Sequence, residues 1–227
     1  MSQFSVSLGD VEACLTARGA TPVVPLDDGS KRVALFIAYG DGFYRKRFNL
    51  CTARMTGGGS LTDARHADVC MVGRCNDAKG FLDALDQSTV CRHTPIFVNQ
   101  RGRGATLYRE LRDRGWHRVY YVTDAMECYL EHGNRYRCSD FRAQCHADLR
   151  SAITQGRVSF SGQLAELLPK QGVRARYAFD DYGRYVSPER SSLARLLGAG
   201  DTTAWDTAAM AFLENAYDLS YPTGSAA

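Results

Sequence analysis

An uninterrupted apolar run near the start of the chain constrains the fold more than any other segment. Residues 33 to 39 read Val-Ala-Leu-Phe-Ile-Ala-Tyr, which is typical of a strand that is covered on both faces. The segment Gly40–Gly42, with Asp41 between the two glycines, predicts a turn into a second strand near Tyr44–Cys51. We therefore expect Val33–Tyr39 in the middle of a sheet, antiparallel to the strand that follows it.

Strands and helices alternate through the rest of the chain. Pro95–Val98 predicts a buried strand, Arg101–Gly104 turns the chain into a helix, and Trp116–Val122 predicts the returning strand. A long helix capped by Ser139 or Asp140 follows, closed by Gly156. An early hairpin followed by strand-helix-strand units is the element order of an α/β, ribonuclease H-like fold. We expect a mixed central sheet flanked by helices, with Val33–Tyr39 parallel to Pro95–Val98.

Length and composition favour one main domain. A chain of 227 residues that is 44% apolar buries one good core. We expect an extension over residues 1–32 with a short helix at 9–18, a domain over residues 33–220, and a disordered tail over 221–227. Because no signal-peptide pattern and no stretch of about 20 apolar residues is present, the sequence predicts a soluble protein without a membrane partner.

The metal-binding side chains show no regular spacing. The eight cysteines include no CxxC pair, which favours a reduced interior over disulfides or zinc. The histidines are equally scattered and predict no cluster. They are His66, His93, His117, His132 and His146.

Basic residues form two local groups although the net charge is only +3. Arg101 and Arg103 precede a helix that carries further arginines, and Arg45, Lys46 and Arg47 follow the first hairpin. Such groups suit phosphate contact. If the partner is double-stranded DNA, they predict weak, sequence-tolerant and salt-sensitive binding. The alternative interpretation is that these arginines form a solvated surface.

Four segments, in order, carry a resemblance to a known family. They are Ile96-Phe-Val-Asn-Gln-Arg-Gly-Arg-Gly104 with the helix to Gly115, Leu149-Arg-Ser-Ala-Ile-Thr-Gln-Gly-Arg-Val158, Leu164-Ala-Glu-Leu167 leading to a hairpin at Gly183-Arg184, and the helix around Asp206. Together they resemble the nuclease domain of phage terminase large subunits, which package DNA and cut it. The resemblance runs from Val33 to Leu213.

The resemblance implies a two-metal site built from carboxylates. Hard cations such as Mg²⁺ or Mn²⁺ require anionic oxygen ligands around the attacking and leaving oxygens of a phosphodiester. The family places one acid on the first strand, one before the glycine-rich turn, and one on the late helix. By this resemblance the catalytic residues are Asp206, Asp41 and Asn99, and the metal ligands are Asp206, Asp41 and Asp201.

Two of these positions depart from the family pattern. The acid before the glycine-rich turn is replaced by Asn99, whose amide supplies no negative charge. The first-strand position falls near Ala38 or Tyr39, and Asp41 is the nearest acid. In simpler interpretations Asp41 is a hairpin tip, Asp201 a helix cap and Asn99 a turn former.

Three functions remain open from the sequence. The first is a metal-dependent endodeoxyribonuclease that cleaves concatemeric double-stranded DNA during viral packaging. The second is a catalytically degenerate terminase-derived module that binds DNA or docks the motor to the portal, and the third is a ribonuclease H-like resolvase. Since no Gly-x-x-x-x-Gly-Lys-Ser/Thr loop is present, we expect a separate terminase ATPase subunit or a portal as partner, in the cytoplasm of the infected bacterial host.

Overall fold

A computed structural model of the chain describes residues 7–15, 32–42, 45–56, 66–75, 78–87, 92, 96–99, 103–123, 138–162, 164–172, 177–186 and 203–210. For the first three strands it describes the backbone and its pairing, together with the side chain of Val69. Residues 16–31 of the predicted extension and the predicted tail over 221–227 lie outside these ranges.

The described strands form a six-stranded mixed sheet and a small hairpin. The sheet strands are β1 (Arg32–Gly42), β2 (Arg45–Thr56), β3 (His66–Cys75), β4 (Ile96–Asn99), β5 (Val119–Val122) and β6 (Val158–Gly162). Their spatial order is β5-β4-β1-β2-β3-β6, and β2 runs opposite to the other five. The predicted central position of Val33–Tyr39, antiparallel to β2 and parallel to β4, is confirmed.

The turn predicted at Gly40–Gly42 is wrong. β1 continues through these residues, and the ladder pairs Gly40 with Arg47, Asp41 with Lys46 and Gly42 with Arg45. Glycine permits a turn but does not require one. Because a partner strand is available at every one of these positions, the chain stays extended and reverses direction only after Gly42. Asp41 is therefore a strand residue and not a hairpin tip.

Helices cover both faces of the sheet. They are α1 (Leu8–Ala13), α2 (Ala78–Asp86), α3 (Gly104–Asp113), α4 (Phe141–Thr154), α5 (Leu164–Gly172) and α6 (Thr203–Met210). Side chains alternate along β4: Phe97 packs with α4, α5 and α6, whereas Ile96 and Val98 pack with α2 and α3. The layers are thus helix, sheet and helix, as predicted. No helix within the described ranges combines the length and apolar character needed to cross a membrane.

The long helix α4 begins and ends as the sequence predicts. The carboxylate of Asp140 accepts a hydrogen bond from the amide of Ala143 at 2.7 Å, and Gly156 follows the helix with a φ of 63°. The predicted hairpin is also present, as β7 (Ala178–Phe179) and β8 (Tyr185–Val186) around Gly183. The amide of Ser139 donates to the carbonyl of Tyr185 at 2.8 Å. The hairpin therefore fixes the start of α4.

The N-terminal helix is shorter than the predicted 9–18. It ends at Ala13 because the next residues join the sheet: Leu15 forms a parallel bridge with Phe160, whose amide donates to the carbonyl of Cys14 at 2.8 Å. Val11 and Cys14 are buried in the core beside α4 and α5. The segment thus covers part of the outer edge of β6.

Asp86 links α2 to the end of α3. It accepts hydrogen bonds from the indole of Trp116 at 3.0 Å and from Arg114 at 2.8 Å, and it pairs with Arg92 at 2.7 Å. The amide of Trp116 donates to Leu111 in the helix end, which is why β5 begins at Val119 and not at Trp116 as predicted. Arg114 is therefore paired with two carboxylates of α2, Asp83 and Asp86.

Replacing Asp86 with alanine should destabilise the protein by about 1–3 kcal/mol, because the buried indole N–H of Trp116 loses its acceptor. Burial raises the pKa of Asp86, but hydrogen bonds from Arg114, Trp116 and Arg92 outweigh it and the net pKa is lowered. The stability that ionised Asp86 contributes is therefore present above its unfolded-state pKa and is lost as the pH falls through its folded-state pKa. Urea unfolding at neutral and acidic pH measures both effects. The exposed Asp113→Ala is the control, and equal losses for the two variants would contradict the assignment.

Candidate functional site

A small cavity lies where the carboxyl ends of β4 and β5 meet α4 and α6. Asn99 and Val122 are the paired last residues of their strands. The cavity measures about 20 Å³, room for about one water molecule. It is lined by Asn99, Val122, Phe141, Arg142, Cys145, His146, Asp206, Ala209 and Met210.

A glycine turn positions Asn99. A Cβ atom at Gly104 would lie 1.8 Å from the carbonyl oxygen of Asn99, so the start of α3 folds back onto the end of β4 only without a side chain there. This agrees with the sharp turn expected at this point, although Gly102 lies outside the described residues. Asn99 is buried, and its amide nitrogen lies 3.9 Å from the sulfur of Met210 on α6.

Asp206 forms a buried ion pair with Arg142 and also contacts His146, both on α4. Its Oδ1 accepts hydrogen bonds from Arg142, at 3.2 Å from Nε and 2.8 Å from Nη2, and lies 2.9 Å from Nε2 of His146. Side-chain exposure is 5% for Asp206, 13% for Arg142 and 1% for His146. A buried carboxylate is costly without such partners. The Asp206–Arg142 pair therefore neutralises the charge of this carboxylate within the protein.

Local sequence explains why these groups meet. Arg142 and His146 are four residues apart on α4, so they share one face of the helix. The helix α6 is buried from Trp205 to Met210 and packs against α4, α5, β1 and β2. Asp206 is thus held in the interior, where α4 is its neighbour.

An aromatic layer packs next to His146 and the ion pair. The indole of Trp205 donates a hydrogen bond to the hydroxyl of Tyr177 at 2.8 Å, and the ring of Tyr177 lies 6.2 Å from that of His146 and 5.6 Å from that of Tyr185. Burial is the main cause that raises the pKa of Tyr177 well above its usual value, so its hydroxyl stays neutral. This layer therefore packs apolar ring surface next to His146, the neighbour of Asp206.

Two of the sequence-predicted residues line the same cavity. Asn99 and Asp206 both contribute to it, at the carboxyl edge of the sheet. Asp41 lies further from the cavity, along β1. Continuing the register beyond the Ile37–Val98 pair places Ala38 level with Asn99. Asp41 follows Ala38 by three residues, which is about 10 Å along the strand. Asp201 lies outside the described residues.

The predicted DNA-binding residues lie towards the same edge. Arg103 is exposed immediately before α3, and Arg45, Lys46 and Arg47 begin β2, paired with the last residues of β1. Arg101 lies outside the described residues. The backbone of these basic residues therefore also lies at the carboxyl ends of the central strands.

Arg142 and His146 line the cavity but were not predicted as site residues from the sequence. A signal was present in the pattern. An acid beside the apolar stripe of a buried helix requires a cationic or hydrogen-bonding partner. The Arg142/His146 pair, spaced four apart on the predicted helix, could have supplied one.

The described residues at the cavity do not fit a two-metal site. No group of three histidine, cysteine, aspartate or glutamate side chains stands together within the described part of the chain. Asn99 brings no charge, and Oδ1 of Asp206 already accepts two N–H groups of Arg142. A cation at that oxygen would meet the guanidinium, and two unit charges about 4 Å apart repel by roughly 4 kcal/mol at the effective dielectric of proteins.

Comparisons with solved structures identify the fold. The chain superimposes on the large terminase nuclease from thermophilic phage G20c with a TM-score of 0.52 and 13% identity, covering 93% of this chain and 99% of that one. For the nuclease domain of the large terminase subunit of bacterial virus Sf6 the TM-score is 0.56 at 13% identity, with 91% and 96% covered. A point mutant of the Sf6 domain was solved with manganese.

The HK97 bacteriophage large terminase gives a TM-score of 0.51 at 12% identity, and the match covers 92% of this chain but 43% of that one. No protein-family model matches the sequence, and no curated protein matches it either. The protein has the ribonuclease H-like fold of phage large terminase nuclease domains, as the sequence motifs predict.

Proposed function

We propose that this protein is a terminase nuclease-type module that holds double-stranded DNA during viral DNA packaging and performs little or no metal-dependent cleavage. It would act in the cytoplasm of the infected bacterial host, beside a separate terminase ATPase subunit or a portal. Of the functions open from the sequence, this is the catalytically degenerate module in its DNA-binding form.

The observation that carries the proposal is the pair of uncharged residues at neighbouring strand ends. Ala38 and Asn99 are level on the parallel strands β1 and β4, where the family resemblance expects carboxylates. Two-metal hydrolysis depends on anionic ligands that hold both ions around the scissile phosphate. Without charge at these two positions, the edge of the sheet loses most of its capacity to concentrate Mg²⁺ or Mn²⁺.

Basic residues near the same edge support retained DNA binding. Arg103, Arg109 and Arg112 are exposed, and within the described residues no ion pair engages them. Arg103 directly precedes Gly104, which abuts Asn99. Exposed guanidinium groups bind phosphate oxygens and release counterions from DNA.

The DNA-binding part of the proposal is tested with matched single-charge variants. Arg103→Ala should weaken binding of a duplex about 3- to 10-fold and reduce the slope of log affinity against log salt by about one, as for a lost phosphate contact. Arg157→Ala is the control, because Arg157 precedes β6 at the opposite edge of the sheet. Fluorescence anisotropy at several salt concentrations gives both values. Equal effects of the two variants would argue against binding at this edge.

A plasmid assay separates the degenerate module from an active nuclease. Wild-type protein with Mn²⁺ or Mg²⁺ should nick supercoiled plasmid no faster than the same protein with EDTA, since Ala38 and Asn99 carry no charge and the carboxylate of Asp206 is paired with Arg142. Metal-dependent nicking that is lost in Asp206→Asn would overturn the proposal. That result would favour the alternative function, an active endodeoxyribonuclease with Mg²⁺ or Mn²⁺ as its cofactor and Asp206, Asp41 and Asp201 as candidate ligands.

A further inference from the structure

We infer that the exposed ring of Tyr182, at the tip of the β7–β8 hairpin, stacks on an unpaired base of bound DNA, such as a base in a single-stranded tail. The inference rests on the proposed function, because the DNA must first be held at the neighbouring edge of the sheet. It adds a property that the proposed function lacks, which is a preference for DNA that carries unpaired bases.

The first observation is the exposure of the ring. Tyr182 is 82% exposed, the highest value for a large apolar side chain within the described residues. Folding does not favour such exposure, because burial of aromatic surface is what stabilises a folded chain. The guanidinium of Arg184 lies over the ring, 5.3 Å from its centroid, and so contacts one face. At this exposure the opposite face is open to a flat partner.

The second observation is that Asp180 holds the tip in a fixed shape. Its Oδ1 accepts hydrogen bonds from the amide of Tyr182 at 3.0 Å and from that of Arg184 at 2.8 Å. Its Oδ2 accepts from Nε of Arg184 at 2.7 Å. The amide of Gly183, which has a φ of 71°, donates to the carbonyl of Asp180 at 2.9 Å. The backbone that carries the ring is therefore set before a ligand arrives, which lowers the entropic cost of binding.

The third observation is the place of the hairpin in the fold. The amide of Ser139 donates to the carbonyl of Tyr185, and Cys138 forms a parallel bridge with the same residue. The next residues, Phe141 and Arg142, begin α4 and line the cavity at the carboxyl ends of β4 and β5. The hairpin is therefore attached beside the edge where the proposed function places DNA.

The charges of the tip favour contact with a base over contact with a phosphate. Arg184 is paired with Asp180, and Asp181 is exposed beside them. The tip thus carries more negative than positive charge, which repels a phosphate but not the uncharged face of a base. Every base has a π-face on which an aromatic ring can stack. Inside a duplex that face is covered by the neighbouring base pairs, so an unpaired base is the form that Tyr182 can contact.

The test compares two DNA probes on the full chain. One is a blunt duplex, and the other is the same duplex with a short single-stranded tail that contains the fluorescent base 2-aminopurine. Wild-type protein should bind the tailed duplex about 5-fold or more tightly than the blunt one, as expected for one stacked base, and should quench the 2-aminopurine fluorescence. Tyr182→Ala should lose both the gain in affinity and the quenching. Fluorescence anisotropy of a separate label on the duplex gives the affinities.

Two further variants isolate the aromatic ring. Tyr182→Phe keeps the ring and should resemble wild type, whereas Tyr182→Leu keeps an apolar side chain without a ring and should resemble Tyr182→Ala. The slope of log affinity against log salt should be the same in wild type and Tyr182→Ala, because stacking releases no counterions. A smaller slope in Tyr182→Ala would indicate a phosphate contact and overturn the inference.

Failure of the inference is separate from failure of the proposed function. If wild type and Tyr182→Ala bind both duplexes with the same affinities and the same fluorescence, the inference is overturned while DNA binding stands. The exposed ring would then be assigned to a contact with another protein. If wild type binds neither duplex, the proposed function is refuted and the inference with it.

Discussion

Replacing Asp206 with alanine is expected to lower the free energy of unfolding by about 3–5 kcal/mol, which is the cost of leaving one member of a buried ion pair without its partner. The change removes the acceptor of both Arg142 N–H groups and the neighbour of His146. A loss of this size is a large part of the roughly 5–15 kcal/mol that stabilises a typical domain. Denaturant unfolding monitored by circular dichroism measures it.

A more exposed ion pair supplies the control. Asp83 contacts Arg114 at 2.7 Å with its side chain 45% exposed, so Asp83→Ala should cost no more than about 1 kcal/mol. The loss of stability in Asp206→Asn should fall between these two values, because the amide oxygen of asparagine can still accept a hydrogen bond from Arg142. If Asp206→Ala costs no more than Asp83→Ala, the buried pair does not contribute to stability as the geometry implies.

The second large effect is expected for Gly104→Ala. The added Cβ would lie 1.8 Å from the carbonyl oxygen of Asn99 and 2.9 Å from its carbon. Backbone atoms at the end of a buried strand cannot move aside as a flexible side chain does, so we expect a loss of about 3 kcal/mol or more. The turn that positions Asn99 would have to shift as well.

Gly9→Ala is the matched control for this prediction. Gly9 is an exposed residue of α1, and a Cβ atom added there would have Ser7 as its nearest contact, at 4.0 Å. Alanine there should stabilise the protein slightly, by up to about 1 kcal/mol. Thermal and denaturant unfolding of both variants give the comparison. A stability of Gly104→Ala within about 0.5 kcal/mol of wild type, below the cost of a typical core change, would contradict the close approach of α3 to β4.

The sequence predicts the fold well because the fold depends on local patterns. The apolar run Val33–Tyr39 becomes the central strand, and the glycine-rich segment before Gly104 becomes the turn into α3. The cap at Asp140 and the positive φ at Gly156 follow from the preferences of single residues. The error at Gly40–Gly42 arises where a local preference for a turn gives way to pairing with β2, which local composition does not encode.

The site is predicted less completely because its contacts are distant in sequence. Arg142 and His146 reach Asp206 across 64 and 60 residues, and no spacing rule connects α4 with α6. The family motifs direct attention to acids at strand ends, so a basic partner inside the site has no place in that pattern. What the sequence does contain is the four-residue spacing of Arg142 and His146 and the unusual position of an acid in a buried helix.

The pairing of Cys14 and Leu15 with β6 also bears on how the protein behaves in solution. The contact from the amide of Phe160 to the carbonyl of Cys14 occupies a backbone group of an outermost strand. Shortened versions of the chain that begin after residue 15 would leave that edge open to pairing with a second molecule, a common start of aggregation. Keeping the first helix is therefore a condition for handling this protein as separate molecules.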